Sequence, residues 1–101
     1  MEDAFEQTMY WLLAGSKGAE NRIRIIAALR ARPMNLNELS KKTALNYKTV
    51  QHHIDLLTEN NLLVKRGNRY GQVYFLSDQL GEKRELFKKL FESSSVTGEE
   101  K

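Results

Sequence analysis

The stretch that decides the fold is residues 35–60, which read NLNELSKKTALNYKTVQHHIDLLTEN. Asn35 followed three residues later by Glu38 resembles a capping box, which predicts a short helix from this point to about residue 43. After a tight break, Asn46 can cap a second helix over residues 47–60. The apolar residues on one face of this second helix are Val50, Ile54 and Leu57. Two helices joined by about three residues form a helix-turn-helix, which holds its second helix out to lie in the major groove of DNA.

Two further helices are predicted before this segment. Apolar residues recur at helical spacing over residues 3–14, and Gly15 ends that helix. A second apolar stripe runs over residues 19–32, where Pro33 stops the helix. The helix-turn-helix is therefore expected to pack against helical neighbours on its N-terminal side.

A β-hairpin is predicted directly after the helix-turn-helix. Asn61 stands where the preceding helix must end, and asparagine tolerates the left-handed conformation that turns the chain there. Two stretches rich in branched and aromatic residues follow within residues 62–76, and they flank a Gly- and Asn-containing turn at residues 67–71. This hairpin would form a wing with a basic tip.

One more helix is predicted near the C-terminus. Asp78 can cap a helix over residues 79–92, and the composition of residues 93–101 favours a frayed, disordered tail. A chain of 101 residues is long enough for one core. We therefore expect a single domain over residues 1–92 that is mainly α with a β-hairpin wing (α+β). In this winged helix-turn-helix, a core over residues 16–77 carries extra N- and C-terminal helices.

The composition excludes several classes of function. Apolar residues make up 41% and charged residues 29% of the chain, as in ordinary globular domains, and no apolar run reaches the ~18 residues of a membrane span. The acidic start differs from a secretory signal, so we expect a cytoplasmic protein with no membrane partner. The absence of cysteine excludes disulfides, thiolate metal sites and thiol nucleophiles. No carboxylate pair, activated nucleophile or cofactor motif is placed for chemistry, so neither an enzyme nor a bound cofactor is expected.

The charge is unevenly distributed along the chain. The net charge is only +3, but residues 16–75 hold eleven Lys and Arg residues against four acids, which is a net +7. Residues 1–15 and 76–101 are both net acidic. A polyanion is the natural partner for the basic central segment.

Four stretches of this central segment resemble a known family. RIRIIAAL (22–29), NEL (37–39), YKTVQHHIDLL (47–57) and GNRYGQVYFLS (67–77) are similar to the ArsR-type winged helix regulators, most of all to the small archaeal members. The resemblance implies a homodimer that binds an operator, with one recognition helix per subunit in a major groove and the wing beside it. The cysteine-rich motif of the metal-sensing members is absent, as is the Asp and His set that others carry on the last helix. Metal sensing is therefore not expected.

Nine residues are predicted to contact double-stranded DNA. Those on the helix over residues 47–60 lie away from its apolar face, mostly near the N-terminal end, which is the part expected to meet bases. Gln suits adenine, Lys suits guanine or a phosphate, and Tyr can pack on a thymine methyl. Those on the wing, over residues 62–76, are expected to reach the backbone or the minor groove. The set is Tyr47, Lys48, Thr49, Gln51, His52, Lys65, Arg66, Asn68 and Arg69.

The adjacent histidines do not predict a metal site. His52 and His53 point about 100° apart on a helix, and Asp55 is their only co-ligand at helical spacing. We expect His52 to face outward. The family resemblance assigns His53 to the buried side.

The apolar stripes of the terminal helices indicate how two copies of the chain would associate. A winged core of about sixty residues has little surface on which to bury two extra apolar stripes, so pairing across a two-fold axis would bury them. The alternative function is a winged helix module that docks onto protein in a larger complex. Such a module would expose apolar residues on the helix over residues 47–60, where this sequence has Lys48, Gln51 and His52.

Overall fold

The computed structural model describes residues 3–96, which form six helices and one β-hairpin. The elements are α1 (Ala4–Tyr10), which continues as a π-helical turn (Trp11–Gly15), α2 (Ala19–Ala31), α3 (Leu36–Thr43), α4 (Tyr47–Glu59), β1 (Leu63–Asn68), β2 (Gly71–Leu76), α5 (Asp78–Glu82) and α6 (Arg84–Ser93). This is a winged helix-turn-helix with additional helices before and after it, so the predicted fold class is confirmed. No helix within residues 3–96 is long and apolar enough to cross a membrane.

Local hydrogen bonds define the helix-turn-helix. The Asn35 side chain accepts from the Glu38 amide at 2.8 Å, and the Glu38 carboxylate accepts from the Asn35 amide at 2.9 Å, which completes the capping box. Ala44 ends α3 with φ 63°, in the left-handed region that non-glycine residues rarely enter. The Asn46 side chain then accepts from the Thr49 amide at 2.8 Å and begins α4. The turn between α3 and α4 is thus held at both ends.

The wing is anchored to the helices by a short third strand segment. β1 and β2 are antiparallel, with a register that runs from Leu63 opposite Leu76 to Asn68 opposite Gly71. Met34 pairs with Tyr74 through two backbone hydrogen bonds of 3.4 and 2.8 Å. The wing is therefore tied to the connection between α2 and α3.

The turn of the wing is tighter than predicted. Residues 67, 68 and 71 belong to the strands, and only Arg69 and Tyr70 connect them. Gly67 has φ 118°, and the Asn68 side chain accepts from the Tyr70 amide at 2.9 Å, which closes the turn locally. The prediction of a five-residue turn is wrong because the ladder extends through Gly67 and Asn68.

The apolar stripes of the terminal helices are buried within the single chain. Phe87 and Leu90 of α6 are 2% and 8% exposed, and Met9, Leu12 and Leu13 of the N-terminal segment are buried as well. The expectation that the winged core cannot cover these stripes is therefore wrong. Partly buried residues such as Phe91 flank this core, and Trp11, off the stripe, stays 58% exposed.

The C-terminal helix differs from its prediction in two ways. It begins with the Ser77 hydroxyl, which accepts from the Leu80 amide at 3.0 Å, and it breaks at Lys83 into α5 and α6. The Lys83 ammonium lies 3.0 Å from the Asp3 carboxylate and 2.7 Å from that of Glu6, which ties this break to the start of α1.

The prediction of a disordered tail from residue 93 is also wrong for residues 93–96. Ser93 belongs to α6, and Val96 is only 2% exposed because it packs into the core. Residues 97–101 of the predicted tail lie outside the described residues.

Candidate nucleic-acid interface

The N-terminal end of α4 is electropositive and accessible. No acidic residue lies in its first turn, and Lys48 occupies that turn with an exposed side chain. A helix N-terminus carries about half a positive charge, which favours an approaching anion. Because Asn46 caps the Thr49 amide with a neutral side chain, the positive end of α4 is not cancelled by a carboxylate.

One face of α4 is buried and the opposite face is polar. Val50, Ile54 and Leu57 are fully buried in the core. The exposed side chains on the other side are those of Tyr47, Lys48, Gln51, His52 and Asp55. Thr49 differs from the rest of the predicted set because it is half-buried and its backbone amide serves the cap. The outward face is therefore polar, and only Tyr47 among its large apolar side chains is substantially exposed, at 48%.

The wing tip presents an arginine stacked on a tyrosine. The Arg69 guanidinium lies 5.1 Å from the centroid of the Tyr70 ring and donates to the Tyr70 hydroxyl at 3.1 Å. Tyr70 is itself 83% exposed, although the sequence prediction did not include it. A large aromatic residue in an otherwise polar turn was the signal in the sequence. The stacking holds the guanidinium extended into solvent at the end of the hairpin.

A groove separates the wing tip from the helix-turn-helix. It is an open cavity of about 310 Å³ bounded by the starts of α3 and α4 on one side and the wing turn on the other. Tyr47 and Arg69, both predicted site residues, border it together with Tyr70 and Gln72. The structure thus brings the start of α4 and the wing tip to a common surface.

The start of α3, unlike that of α4, carries an acidic residue. Glu38 places a carboxylate at the start of α3, where the capping box already uses the Asn35 side chain. The hydrogen bond from the Asn35 amide, aided by Arg32 3.4 Å away, lowers the pKa of Glu38 and keeps it charged. The start of α3 is therefore less favourable for an anion than the start of α4.

Lys65 and Arg66 lie apart from the wing tip. Lys65 borders a second groove, of about 170 Å³, with Asp55 and Glu59 of α4. These carboxylates make this groove less favourable for a phosphate than the one beside Arg69. Arg66 and Asn68 are exposed on β1, and the Asn68 side-chain oxygen is already occupied by the Tyr70 amide.

The two histidines face in different directions. His52 is exposed, whereas His53 is 6% exposed, and their ring centroids lie 5.3 Å apart. Among residues 3–96 there is no group of three or more His, Cys, Asp or Glu residues that could hold a metal ion. The outward and buried positions predicted for the pair are both confirmed. The assignment of the nine residues to DNA contacts stays a prediction.

The sequence of residues 19–65 matches a known family model. These residues match the sequence model described as "Bacterial regulatory protein, arsR family". This segment matches the ArsR family of helix-turn-helix regulators. The ArsR-type match extends from the start of α2 into β1, and so includes both helices of the helix-turn-helix and the beginning of the wing. Transcriptional regulation through DNA binding is the function that an ArsR-type fold implies.

The fold of this chain is shared by solved structures of regulators. HlyU from Vibrio cholerae N16961 is 22% identical over 91% of this chain and 96% of its own, with a TM-score of 0.66. The transcriptional repressor BigR from Xylella fastidiosa is 16% identical over 87% of this chain and 81% of its own, with a TM-score of 0.66. A "Possible transcriptional regulator for arsenical resistance" is 25% identical over 73% of this chain and 79% of its own, with a TM-score of 0.58. No curated protein matches the chain. The likeness to archaeal members stays a prediction.

Proposed function

We propose that this chain is a homodimeric transcription regulator that binds double-stranded DNA at specific sequences. In this proposal α4 enters the major groove, and the wing contacts the backbone or the minor groove of the adjacent DNA. The observation that carries the proposal is the shared surface of α4 and the wing tip, where Tyr47 and Arg69 border one groove. The proposed location is the cytoplasm, as for a bacterial regulator of the matched family.

The exposed side chains have different roles in this proposal. Gln51 reads a base edge, because its amide matches the donor and acceptor pattern of adenine. Lys48 and the positive end of α4 attract a phosphate or a guanine, and Tyr47 and His52 flank that contact. Arg69 neutralises a phosphate or enters the minor groove, and Tyr70 holds it in position. Lys65 contributes less because Asp55 and Glu59 border the same groove.

The proposed dimer is formed by the terminal helices, but not through their apolar stripes. Phe87 and Leu90 are already buried in the core, so they are not free to contact a second copy. Trp11 is 58% and Tyr10 is 38% exposed on the N-terminal segment. Tyr10 and Trp11 are adjacent exposed aromatic residues, and tryptophan is enriched among the residues that dominate the binding energy of interfaces. A dimer would carry two copies of α4, one for each half-site of an operator.

The decisive experiment is the selection of DNA fragments from the organism's genome by the purified protein, followed by sequencing. The expected result is enrichment of sites with two related half-sites, separated by one helical turn of about 10 bp or a multiple of it. A Gln51→Ala variant is the control for α4, because it should lose the enriched sequence while it still binds DNA. Retention of no DNA, or of fragments without a common sequence, would contradict the proposal and favour a protein-docking module.

A further inference from the structure

A buried arginine connects α2 to the segment that precedes it. Arg22, on the first turn of α2, is only 2% exposed. Its Nε donates to the Leu12 carbonyl at 2.7 Å, and its Nη2 donates to the Ser16 hydroxyl at 2.6 Å and the Lys17 carbonyl at 3.1 Å. These three oxygens belong to the π-helical turn and the loop after it. The guanidinium therefore holds the N-terminal segment against α2.

The same guanidinium also reaches α4. Nη1 of Arg22 lies 3.2 Å from Nδ1 of His53, across 31 residues of sequence. Arginine has only donors, so Nδ1 must be the acceptor and the proton of a neutral His53 must be on Nε2. A protonated His53 would lose this acceptor and would place a second positive charge beside a buried one.

Space for this contact depends on Gly18. Gly18 has φ 88°, and a Cβ built on it would lie 2.8 Å from Cε1 of His53 and 3.1 Å from Nη1 of Arg22. A side chain at this position would therefore collide with the contact that joins α2 to α4. The loop before α2 is shaped around the Arg22–His53 pair.

We infer that Arg22 is a positioning residue for α4: through an uncharged His53 it ties α4 to the N-terminal segment, and the tie fails when His53 gains a proton. This inference rests on the proposed function, because α4 is the helix that is proposed to read DNA. His53 follows His52 directly on α4, so a shift of His53 moves the exposed face of the helix.

The charges around His53 all disfavour its protonation. Arg22 faces it from α2 and His52 adjoins it on α4, while the loop before α2 supplies the uncharged Ser16 hydroxyl and Lys17 carbonyl to the cluster. Burial, followed by the charges of Arg22 and His52, holds the pKa of His53 below its usual value of 6.5. Neutral His53 is thus the form present near pH 7, and acidification breaks the contact.

The test is the pH dependence of operator binding between pH 7.5 and 5, at constant ionic strength, for the selected operator and for random DNA. His53→Asn keeps an oxygen acceptor near the position of Nδ1 but does not titrate. His52→Asn, on the exposed face that is proposed to lie against DNA, shows how much of the pH dependence comes from the exposed histidine. If DNA-bound protein requires neutral His53, operator affinity of the wild type falls up to tenfold per pH unit and per subunit below the pKa of His53. His52→Asn should keep this dependence, and His53→Asn should lose it.

Two further measurements separate positioning from general destabilisation. Circular dichroism at each pH establishes that the protein is folded, and an NMR titration of the histidine Cε1 protons gives the pKa of His53 directly. Arg22→Lys keeps the charge but not the planar fork of donors, so it should bind the operator at least about tenfold more weakly while random DNA is bound equally well. If Arg22→Lys does not fold, the inference is tested by the pH dependence of operator binding in the wild type and in His53→Asn.

The outcomes distinguish this inference from the proposed function. Equal pH profiles for wild type and His53→Asn, with specific binding at pH 7.5, would overturn the role of Arg22 and leave the proposed function intact. Absence of any operator preference at pH 7.5 would instead overturn the proposed function, and the inference with it. A loss of operator preference on acidification in the wild type and in His52→Asn, but not in His53→Asn, supports both.

Discussion

Replacement of Arg69 by alanine tests whether the wing tip neutralises a DNA phosphate. The guanidinium is exposed at the end of the hairpin and is held over Tyr70, with a hydrogen bond of 3.1 Å to its hydroxyl. Because it is already ordered, it loses little conformational freedom on contact with a phosphate. Its removal should weaken binding to every DNA sequence to the same extent and leave the operator preferred.

The magnitude follows from counterion release. Each phosphate neutralised contributes about 0.9 to the slope of log K against log salt, so a dimer that loses two such contacts should lose about 1.8. Between 50 and 200 mM salt, the ratio of wild-type to variant affinity should then shrink by about twelvefold. A single chain on the DNA would lose only about 0.9 of slope, so the same number also reports the stoichiometry.

Fluorescence anisotropy over a series of salt concentrations, with operator and random duplexes, measures both slopes. Arg84→Ala is the matched control, because Arg84 is an exposed arginine on α6 that donates to the Gly81 carbonyl at 3.3 Å and lies on a different part of the surface. It should change neither slope. An Arg69→Ala slope equal to that of wild type on both duplexes would refute the phosphate contact. A loss that depends on the A·T content of the flanks would assign Arg69 to the minor groove.

Three further predictions concern base reading, the dimer and pH. Gln51→Ala should cost about 1 to 3 kcal/mol on the operator and much less on random DNA, with an unchanged salt slope; equal losses in competitive binding assays would exclude a base contact. Trp11→Asp should weaken the dimer about thirtyfold or more, as expected for loss of a buried aromatic anchor worth about 2 kcal/mol, whereas Tyr70→Asp should not. Light scattering over a dilution series decides this, and a dimer unaffected by Trp11→Asp would place the interface elsewhere. Because the pKa of His53 is lowered in the folded state, its contribution to stability is complete above about pH 6.5 and is lost as the pH falls through the folded value. Urea unfolding should therefore show a free energy that declines by up to about 1.4 kcal/mol per pH unit below 6.5, and a decline of the same size in His53→Asn would assign it to other groups.

Local signals in the sequence were reliable where the partners are close along the chain. The capping box of Asn35 and Glu38 and the cap of Asn46 join residues three apart, and both form as predicted. Asn61 adopts φ 66°, as expected for asparagine at the end of a helix. Such features depend on a few neighbouring residues, so a pattern of residue types is sufficient to predict them.

Features that depend on distant partners were missed or misjudged. Arg22 was grouped with the basic residues of the segment, although its contact with His53 spans 31 residues and makes it part of the buried core. The helix break at Lys83 accompanies ion pairs with Asp3 and Glu6 near the other end of the chain. The burial of Val96 likewise depends on core residues that lie elsewhere in the chain.

The sequence by itself determined the winged helix-turn-helix, the polar face of α4 and the basic wing, because helical periodicity, caps and turn residues act over a few positions. Only the tertiary structure decided that the terminal stripes pack into one chain, that Tyr70 supports Arg69 beside α4, and that Arg22 connects the N-terminal segment to α4. The physical reason is that burial and long-range hydrogen bonds each require two surfaces that come together only in the folded structure. A single apolar stripe or a single arginine has the same sequence pattern whether its partner lies in its own chain, in a second copy or in DNA.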